Sequence, residues 1–361
     1  MKYIDEYRNK DLILKLAGHI KKSALAGYTF MEVCGGHTNA IHRFGIPSLL
    51  PENIRLLSGP GCPVCVTGKD FIDKVVSCSG MENVIIATFG DLVRVPGSYS
   101  SLEKERASGS DIRIVLSALE ALDIARKNPD KRIVFPAIGF ETTAPGTAVT
   151  ILNARKEGTD NFSVISSHKI MPPAMEAIIK DGTSIDGFIC PGHVSVITGS
   201  HIYDFIAGKY NIACVIAGFE PVDLMQAVLM LVNQVNSRKP AVEIQYNRAV
   251  THNGNDLAKE YMQSVFEPCD ARWRGLGMIP GSGLRLRKEF GNFDAERILA
   301  PVSSLTDDDG QCICGDILRG IKTPADCPLF GTSCTPDNPE GACMVSGEGA
   351  CNTWFKYKIN G

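Results

Sequence analysis

Two thiols in a C-P-V-C motif, Cys62 and Cys65, are the first residues of this sequence whose type and spacing suggest chemistry. Glycines and a proline precede them in SGPGCPVCVTGKD (58–70), so the backbone must bend sharply there. The next residues, KDFIDKVVS (69–77), have helical spacing, which puts the thiols at or just before a helix N-terminus. The motif predicts a redox dithiol or a metal-binding pair. Half of a structural zinc site is the alternative, but no second close Cys/His pair lies nearby in the sequence.

The same pair is expected to form a reversible disulfide. Residues three apart on a turn can bring their Cα atoms within the roughly 4.4–6.8 Å that a disulfide requires. The positive end of a helix dipole favours thiolate, so one of the two thiols is expected to have a lowered pKa. By analogy with other C-x-x-C sites, in which the first cysteine is usually the more exposed, Cys62 is the expected reactive thiolate.

A second candidate is Cys34, in the stretch FMEVCGGHT (30–38). It follows a short strand-like run, and the two glycines after it let backbone or ligand approach the sulfur closely. His37 is near enough in sequence to act as a proton carrier or second ligand. A lone cysteine is usually a core residue, but C-G-G-H is an unlikely core sequence. We therefore interpret Cys34 as functional.

The chain contains thirteen cysteines, and six of them crowd into its last fifty residues among Pro, Gly and Asp. Such an irregular stretch cannot bury a core of its own, so four thiolates on one Fe–S cluster, or zinc, are expected to hold it. The spacing lacks the short paired knuckles of structural zinc, which favours a cluster and leaves zinc open. The set that leaves 14, 6 and 16 intervening residues is Cys312, Cys327, Cys334 and Cys351, with Cys314 and Cys343 as surplus. The scattered Cys78, Cys190, Cys214 and Cys269 are expected to be small buried hydrophobes.

Around these thiols, apolar strand-like runs alternate with helical segments, which predicts parallel α/β units. The runs are 84–89, 132–138, 162–167, 185–190 and 212–217, with helices expected at 111–127, from about 145, and at 222–235. In such sheets ligands lie beyond the carboxyl ends of the strands. A single polar residue after a strand is often a helix cap, but five at one edge favour a site. The five are Asp91, Glu141, His168, His193 and Glu220.

An internal repeat supports two related α/β domains that face each other across a cleft. GDLVRVPGS (90–98) aligns without gaps on GHVSVITGS (192–200), and a G-F-E follows a strand at Gly139 and again at Gly218. The glycines form neither G-x-G-x-x-G nor a Walker loop, so no motif indicates nucleotide binding.

The length of 361 residues predicts two or three domains. The expected division is an N-terminal helix and CGGHT segment at 1–56, packing with the C-terminal domain or the cleft, then α/β domains at 57–150 and 151–240. A cysteine-rich domain follows at 241–361. Within it, the Gly- and Arg-rich residues 272–287 suit either a partner surface or a solvated linker.

Composition gives no sign of a nucleic-acid or membrane partner. The net charge is −3, the charged N-terminus has no signal-peptide core, and no apolar run reaches the ~20 residues of a membrane span. A cytoplasmic, soluble protein is expected. In that reducing compartment, richness in cysteine points to metal, cluster or redox work rather than to disulfide bonds that stabilise a fold.

Taken together, these motifs resemble the HypD family of hydrogenase maturation factors. The matching stretches stand in family order over nearly the whole chain. They are CGGHT at Cys34, GPGCPVC at Cys62, TFGD and RVPGS around Asp91, GFETTAP at Glu141, PGHVS at His193, GFEP at Glu220, and DCPLFG, CTP and GACMVS in the cysteine-rich tail.

The resemblance implies two Rossmann-like domains and a C-terminal domain with a [4Fe-4S] cluster. It further implies binding of the chaperone HypC, cyanide supply from HypE as a thiocyanate, and assembly of the Fe(CN)₂CO unit for the hydrogenase large subunit. Carried over by motif, Cys34 would ligate the nascent iron and Cys62 and Cys65 would be the redox dithiol. The implied cluster ligands are Cys312, Cys327, Cys334 and Cys351, and the other candidate catalytic residues are His37, Asp91, Glu141, His193 and Glu220.

The implied protein is a maturation scaffold with redox activity rather than a conventional turnover enzyme. One alternative is an Fe–S-dependent disulfide reductase, which would use the cluster and the C-x-x-C pair but would not need Cys34. The other is a scaffold whose cluster is structural and takes no part in redox chemistry.

Overall fold

The computed structural model of the chain describes residues 5–302 and 311–359. In chain order its strands are β1 Tyr28–Glu32, β2 Ile54–Ser58, β3 Val84–Thr88, β4 Ile112–Ile114, β5 Arg132–Gly139, β6 Phe162–Lys169, β7 Gly187–Pro191, β8 Ala213–Ala217, β9 Val242–Ile244, β10 Phe266–Trp273 and β11 Gly277–Leu286. All five predicted strand runs are present, with boundaries within two residues of those expected.

The α-helices of the described residues are mostly the connections between these strands. They are Lys10–Ser23, Gly35–Arg43, Ile46–Leu49, Lys69–Ser79, Gly90–Val93, Leu102–Ala107, Ala118–Lys127, Ala144–Glu157, Met171–Ile179, Gly192–Thr198, Asp204–Tyr210, Pro221–Ser237, Asp256–Val265, Ala295–Leu299, Cys314–Leu318, Ala342–Val345 and Ala350–Trp354. Shorter 3₁₀ and π turns are Asp5–Arg8, His201–Tyr203, Lys288–Phe293, Pro324–Asp326 and Phe355–Ile359.

The strands form two sheets. The first is entirely parallel, in the order β2-β1-β7-β8-β9. The second has the order β10-β11-β6-β5-β3-β4 and is mixed, because the hairpin of β10 and β11 adds antiparallel strands beside β6. The expectation of parallel sheets is therefore right for the first sheet and wrong for one edge of the second.

The two sheets take their strands alternately along the chain. The first uses residues 28–58 and 187–244, and the second uses 84–169 and 266–286. The division into 1–56, 57–150, 151–240 and 241–361 remains a prediction, and its third part contributes strands to both sheets.

Local sequence explains where single elements differ from expectation. The segment 111–127, expected to be one helix, begins with the short edge strand β4, and its helix starts only at Ala118. The Ser117 side chain accepts a hydrogen bond from the Glu120 N–H, as an N-cap does. Among the residues that the structure describes, no helix combines the length and apolar character needed to cross a membrane.

Candidate functional site

Cys34 lies at the carboxyl end of β1, as the N-cap of helix Gly35–Arg43, and is half-buried. The residues after β2 run beside it: the Gly59 N–H donates to the Glu32 carbonyl at 2.7 Å, and the Gly35 N–H donates to the Gly61 carbonyl at 2.9 Å. A Cβ on Gly61 would lie 2.1 Å from the Cys34 nitrogen, so only glycine fits there. The loop that carries the dithiol therefore passes directly over the backbone of Cys34.

Cys62 and Cys65 form a disulfide, with their Cα atoms 5.2 Å apart. They lie on a turn, and the following helix begins at Lys69. Both residues are buried, at 3% and 1% exposed, so exposure hardly distinguishes them, and the assignment of Cys62 as the reactive thiolate stays a prediction. The reversibility of the bond and its redox role stay predictions.

Two carboxyl groups that the sequence analysis missed lie close to Cys34. Glu32 is buried, and its side chain accepts hydrogen bonds from the Cys34 N–H at 3.0 Å and from the Thr38 hydroxyl. Burial raises the pKa of Glu32 to about 8. Desolvation, with Glu348 and Glu32 adding to it, raises the pKa of the Cys34 thiol to about 12. The only sequence signal for Glu32 was a carboxylate inside an otherwise apolar strand.

The cysteine-rich tail brings Glu348 to this place. A Cβ on Gly35 would lie 2.5 Å from Cβ of Glu348, and the Asn39 amide donates to the Gly347 carbonyl at 3.0 Å. The Ser346 hydroxyl donates to Asp91, at the carboxyl end of β3, at 3.2 Å. The pKa of Glu348 is raised, by desolvation first and by Asp91 second. The tail thus contacts the carboxyl end of β1, beside Cys34, and also Asp91 at the carboxyl end of β3.

The histidines of the site differ in their access to solvent. His37 is fully buried, donates through Nε2 to the Ala217 carbonyl at 3.1 Å, and has its pKa lowered to about 4 by desolvation. His193 is exposed and stacks on Phe219 at 4.0 Å between ring centroids, while His37 stacks on the same ring at 4.6 Å. Of the two, His193 is the one able to exchange protons with water.

The other three strand-end residues make contacts elsewhere in the fold. Glu220 caps helix Pro221–Ser237 and pairs with Arg8, which is the ordinary capping role. Glu141 is buried, accepts a hydrogen bond from the Met171 N–H at 3.0 Å, and has its pKa raised to about 7 by burial. His168 is buried and is hydrogen-bonded to the Thr147 hydroxyl at 3.0 Å. None of these interactions joins the three side chains to Cys34, and their catalytic roles stay predictions.

Five of the six tail cysteines line one small, apolar cavity of about 10 Å³. Its lining includes all four predicted cluster ligands and one surplus thiol: Cys312, Cys327, Cys334, Cys343 and Cys351, with Ile317, Leu329, Phe330, Gly341 and Met344. Contact with the Cys312 thiol lowers the pKa of Cys314, whereas contact with the Cys343 thiol raises it.

Thiols with apolar walls are the donor set that an Fe–S cluster takes. Within residues 5–302 and 311–359, no group of three or more His, Cys, Asp or Glu side chains is arranged to hold one metal ion. The preference for a cluster over zinc stays a prediction.

The disulfide and the cysteine-lined cavity share one hydrophobic core. Cys62 and Cys65 pack in the same buried cluster as Ile317 and the tail thiols Cys314, Cys334, Cys343 and Cys351. A tail that cannot bury its own core is thus held against the dithiol turn. Fold and site together define an α/β protein with a thiol-based centre, in which a strand-end cysteine, a disulfide and a cysteine-lined cavity are neighbours.

Comparison with known proteins shows the family to which the chain belongs. The HypD family model, described as "Hydrogenase formation hypA family", matches residues 11–358. The chain is 49% identical over 368 residues to hydrogenase maturation factor HypD2 of Bradyrhizobium diazoefficiens, covering 99% of this chain and 97% of that protein. It is 43% identical over 369 residues to HypD of Escherichia coli, with 99% and 98% covered. It is 45% identical over 349 residues to a putative hydrogenase expression/formation protein of Methanocaldococcus jannaschii, with 96% of each covered. The chain belongs to the HypD family of hydrogenase maturation factors.

Proposed function

We propose that this protein is the cytoplasmic scaffold and redox component on which iron receives its cyanide and carbonyl ligands before insertion into the large subunit of a [NiFe]-hydrogenase. The small chaperone HypC shares the iron, and HypE supplies cyanide as a thiocyanate. Relatives named hydrogenase maturation factors support the general role. The observation that carries the specific role is the Gly35–Gly61 hydrogen bond, which sets Cys34 against the dithiol loop.

Cys34 is the residue that binds the iron, which is the cargo of this site. Iron that accepts cyanide and carbon monoxide is electron-rich, and a thiolate ligand suits it. A Cβ on Gly36 would lie 3.7 Å from Cys34 Sγ, so glycine at this position leaves space beside the sulfur. Asp91 and the exposed His193 are the groups of the site that exchange protons with water.

Cys312, Cys327, Cys334 and Cys351 would hold a [4Fe-4S] cluster, which supplies electrons one at a time when bound. Reduction of the Cys62–Cys65 disulfide takes two electrons and two protons and gives a dithiol that stores both electrons. That store is what reductive cleavage of a thiocyanate requires. Packing of the disulfide and the tail thiols in one core supports this route.

Infrared spectroscopy of the protein copurified anaerobically with HypC tests the proposal. We expect bands in the cyanide and carbonyl stretching regions for the wild type and none for Cys34→Ala, because the iron loses its ligand on this chain. Cys269→Ala, which removes a thiol on β10, is the control and should keep the bands. Bands of wild-type intensity in Cys34→Ala would exclude the role of Cys34. A wild type without any bands would leave the disulfide reductase, which has no need of that thiol.

A further inference from the structure

The turn between β10 and β11 lies against the dithiol loop. The Arg274 N–H donates to the carbonyl of Val66, one residue after Cys65, at 2.8 Å, and Thr67 pairs with Trp273 in an isolated antiparallel bridge. Main-chain bonds of this kind fix the position of the loop without depending on the side chain at 274. The hairpin is therefore one wall of the dithiol turn.

The same turn lies against the cysteine-rich tail. A Cβ on Gly275 would be 2.4 Å from the Cα of Gly315, directly after Cys314, so the two backbones touch. The Arg319 guanidinium donates to the Gly275 carbonyl at 3.0 Å on the outer side. The hairpin tip thus contacts both the loop of the disulfide and the cysteine-rich tail.

The side chain of Arg274 places a positive charge beside the cysteine-rich tail. Arg274 is 3% exposed and lines a cavity of about 330 Å³ together with Lys69, Cys312 and Cys314. Its positive charge acts to lower the pKa of both thiols, whereas burial raises the pKa of both. Acidic residues on the same cavity are half-exposed or exposed, so water screens them more strongly than it screens Arg274.

A buried guanidinium stays protonated and acts most strongly on charges that water does not screen. A cluster on four thiolates becomes more negative by one charge when it takes up an electron. A fixed positive charge beside one of its ligands stabilises the reduced form and raises the reduction potential.

We propose that Arg274, with Lys69 on the same cavity wall, sets the reduction potential of the cluster at the cysteine-lined cavity while the main chain at 274 holds the dithiol turn beside it. This rests on the proposed function, because it requires that the tail holds a redox cluster. Arg274 is a positioning residue in this role, since it acts on the cluster through its charge and on the dithiol through its backbone.

The test is an anaerobic redox titration, poised with dithionite and mediators and followed by electron paramagnetic resonance. At the potential where half of the wild-type cluster is reduced, we expect Arg274→Gln to lower the ratio of reduced to oxidised cluster about tenfold. Arg274→Lys, which keeps the charge, should stay close to the wild type. Arg319→Gln removes a charge that touches the same hairpin tip from the exposed side, and should not change the ratio.

An unchanged ratio in Arg274→Gln overturns the proposal, and so does an equal change in Arg274→Lys or in Arg319→Gln. If the Gln variant does not retain its iron, Lys69→Gln must lower the ratio in the same direction, and a wild-type ratio there overturns the proposal. Wild-type protein without acid-labile sulfide would overturn the cluster itself, and chemical analysis distinguishes that failure from the first.

Discussion

At the scale of single residues, the site depends on close approaches that only glycine allows. Gly61 is the clearest case, because the backbone of Cys34 occupies the space of its missing side chain. The glycine before the first cysteine of GPGCPVC is therefore required by the close packing against Cys34 as well as by the turn. It brings two parts of the sequence that are almost thirty residues apart into one site.

We expect Gly61→Ala to destabilise the protein by about 2–4 kcal/mol, since a methyl group 2.1 Å from the Cys34 nitrogen forces two backbones apart. Urea unfolding midpoints measure this. Gly146→Ala is the control, because that glycine lies in helix Ala144–Glu157 with open space around it and should be neutral or stabilising by up to about 1 kcal/mol. Equal midpoints for the two variants would contradict the close approach.

The sequence predicted the thiols of the site and missed its carboxylates, for a physical reason. Cys34, Cys62 and Cys65 stand in short motifs whose glycines and prolines constrain the local backbone. Glu32 and Glu348 come together through packing between residues more than three hundred positions apart, which no local pattern reveals. The resemblance to the HypD family likewise implied four cluster thiols, which share a cavity, but not the fifth that lines it.

At the scale of elements, the alternation of strands and helices predicted the parallel strands well and the hairpin not at all. Residues 272–287 suited a partner surface or a linker, yet they contain the turn and all of β11. The glycines and arginines of this stretch interrupt the alternation of apolar and polar residues that indicates a strand. The antiparallel pairing of β11 with β6 depends on contacts between distant parts of the sequence. The polar strand ends were expected at one edge, but their strands belong to two sheets. Glu220 has a helix-capping role, and its catalytic role stays a prediction.

His168, at the end of β6, makes the stability of the second sheet depend on pH. Burial lowers its pKa from 6.5 to about 4, so the unfolded chain binds a proton between these values and the folded chain does not. Stability is lost as the pH falls through this window. At pH 7 we expect His168→Gln to be less stable than the wild type, and the gap to shrink by up to about 3 kcal/mol between pH 6.5 and pH 4.

Denaturant titrations at several pH values measure this gap, with His19→Gln, on the exposed face of helix Lys10–Ser23, as the control. A gap that stays constant from pH 7 to pH 4 would show that the folded protein accommodates a protonated His168.

At the scale of the whole molecule, the chain crosses repeatedly between its two sheets and returns at its end to the site near its beginning. The tail packs on Cys34 through Glu348 and on the dithiol turn through the shared core. The sequence could indicate that such an irregular tail needs something to hold it. The expected packing of the CGGHT segment with the C-terminal domain or the cleft allowed for a contact with the tail, but did not indicate that Glu348 comes beside Cys34.

Replacing Cys334 with Ser is expected to remove the cluster and to make the tail sensitive to protease, because few apolar residues remain to order it. Iron and sulfide analysis with limited proteolysis measures both effects, and Cys269→Ser on β10 is the matched control. One zinc and no sulfide in the wild type would contradict the cluster assignment.

The last prediction concerns the route from the tail to the iron. Cys65→Ser should leave iron and sulfide in the tail unchanged yet block ligand assembly, because residues 62 and 65 can no longer alternate between a disulfide and a dithiol that stores two electrons. Thiol counting on the wild type should show two free thiols lost on mild oxidation and regained on reduction. Infrared bands then report whether ligands reach the iron in the variant. If Cys65→Ser matures hydrogenase as well as the wild type, or if the thiol count does not change by two, the dithiol has no redox role. The protein is then a scaffold in which the tail is structural, and the core shared by the disulfide and the tail thiols serves only to fix Cys34 in place.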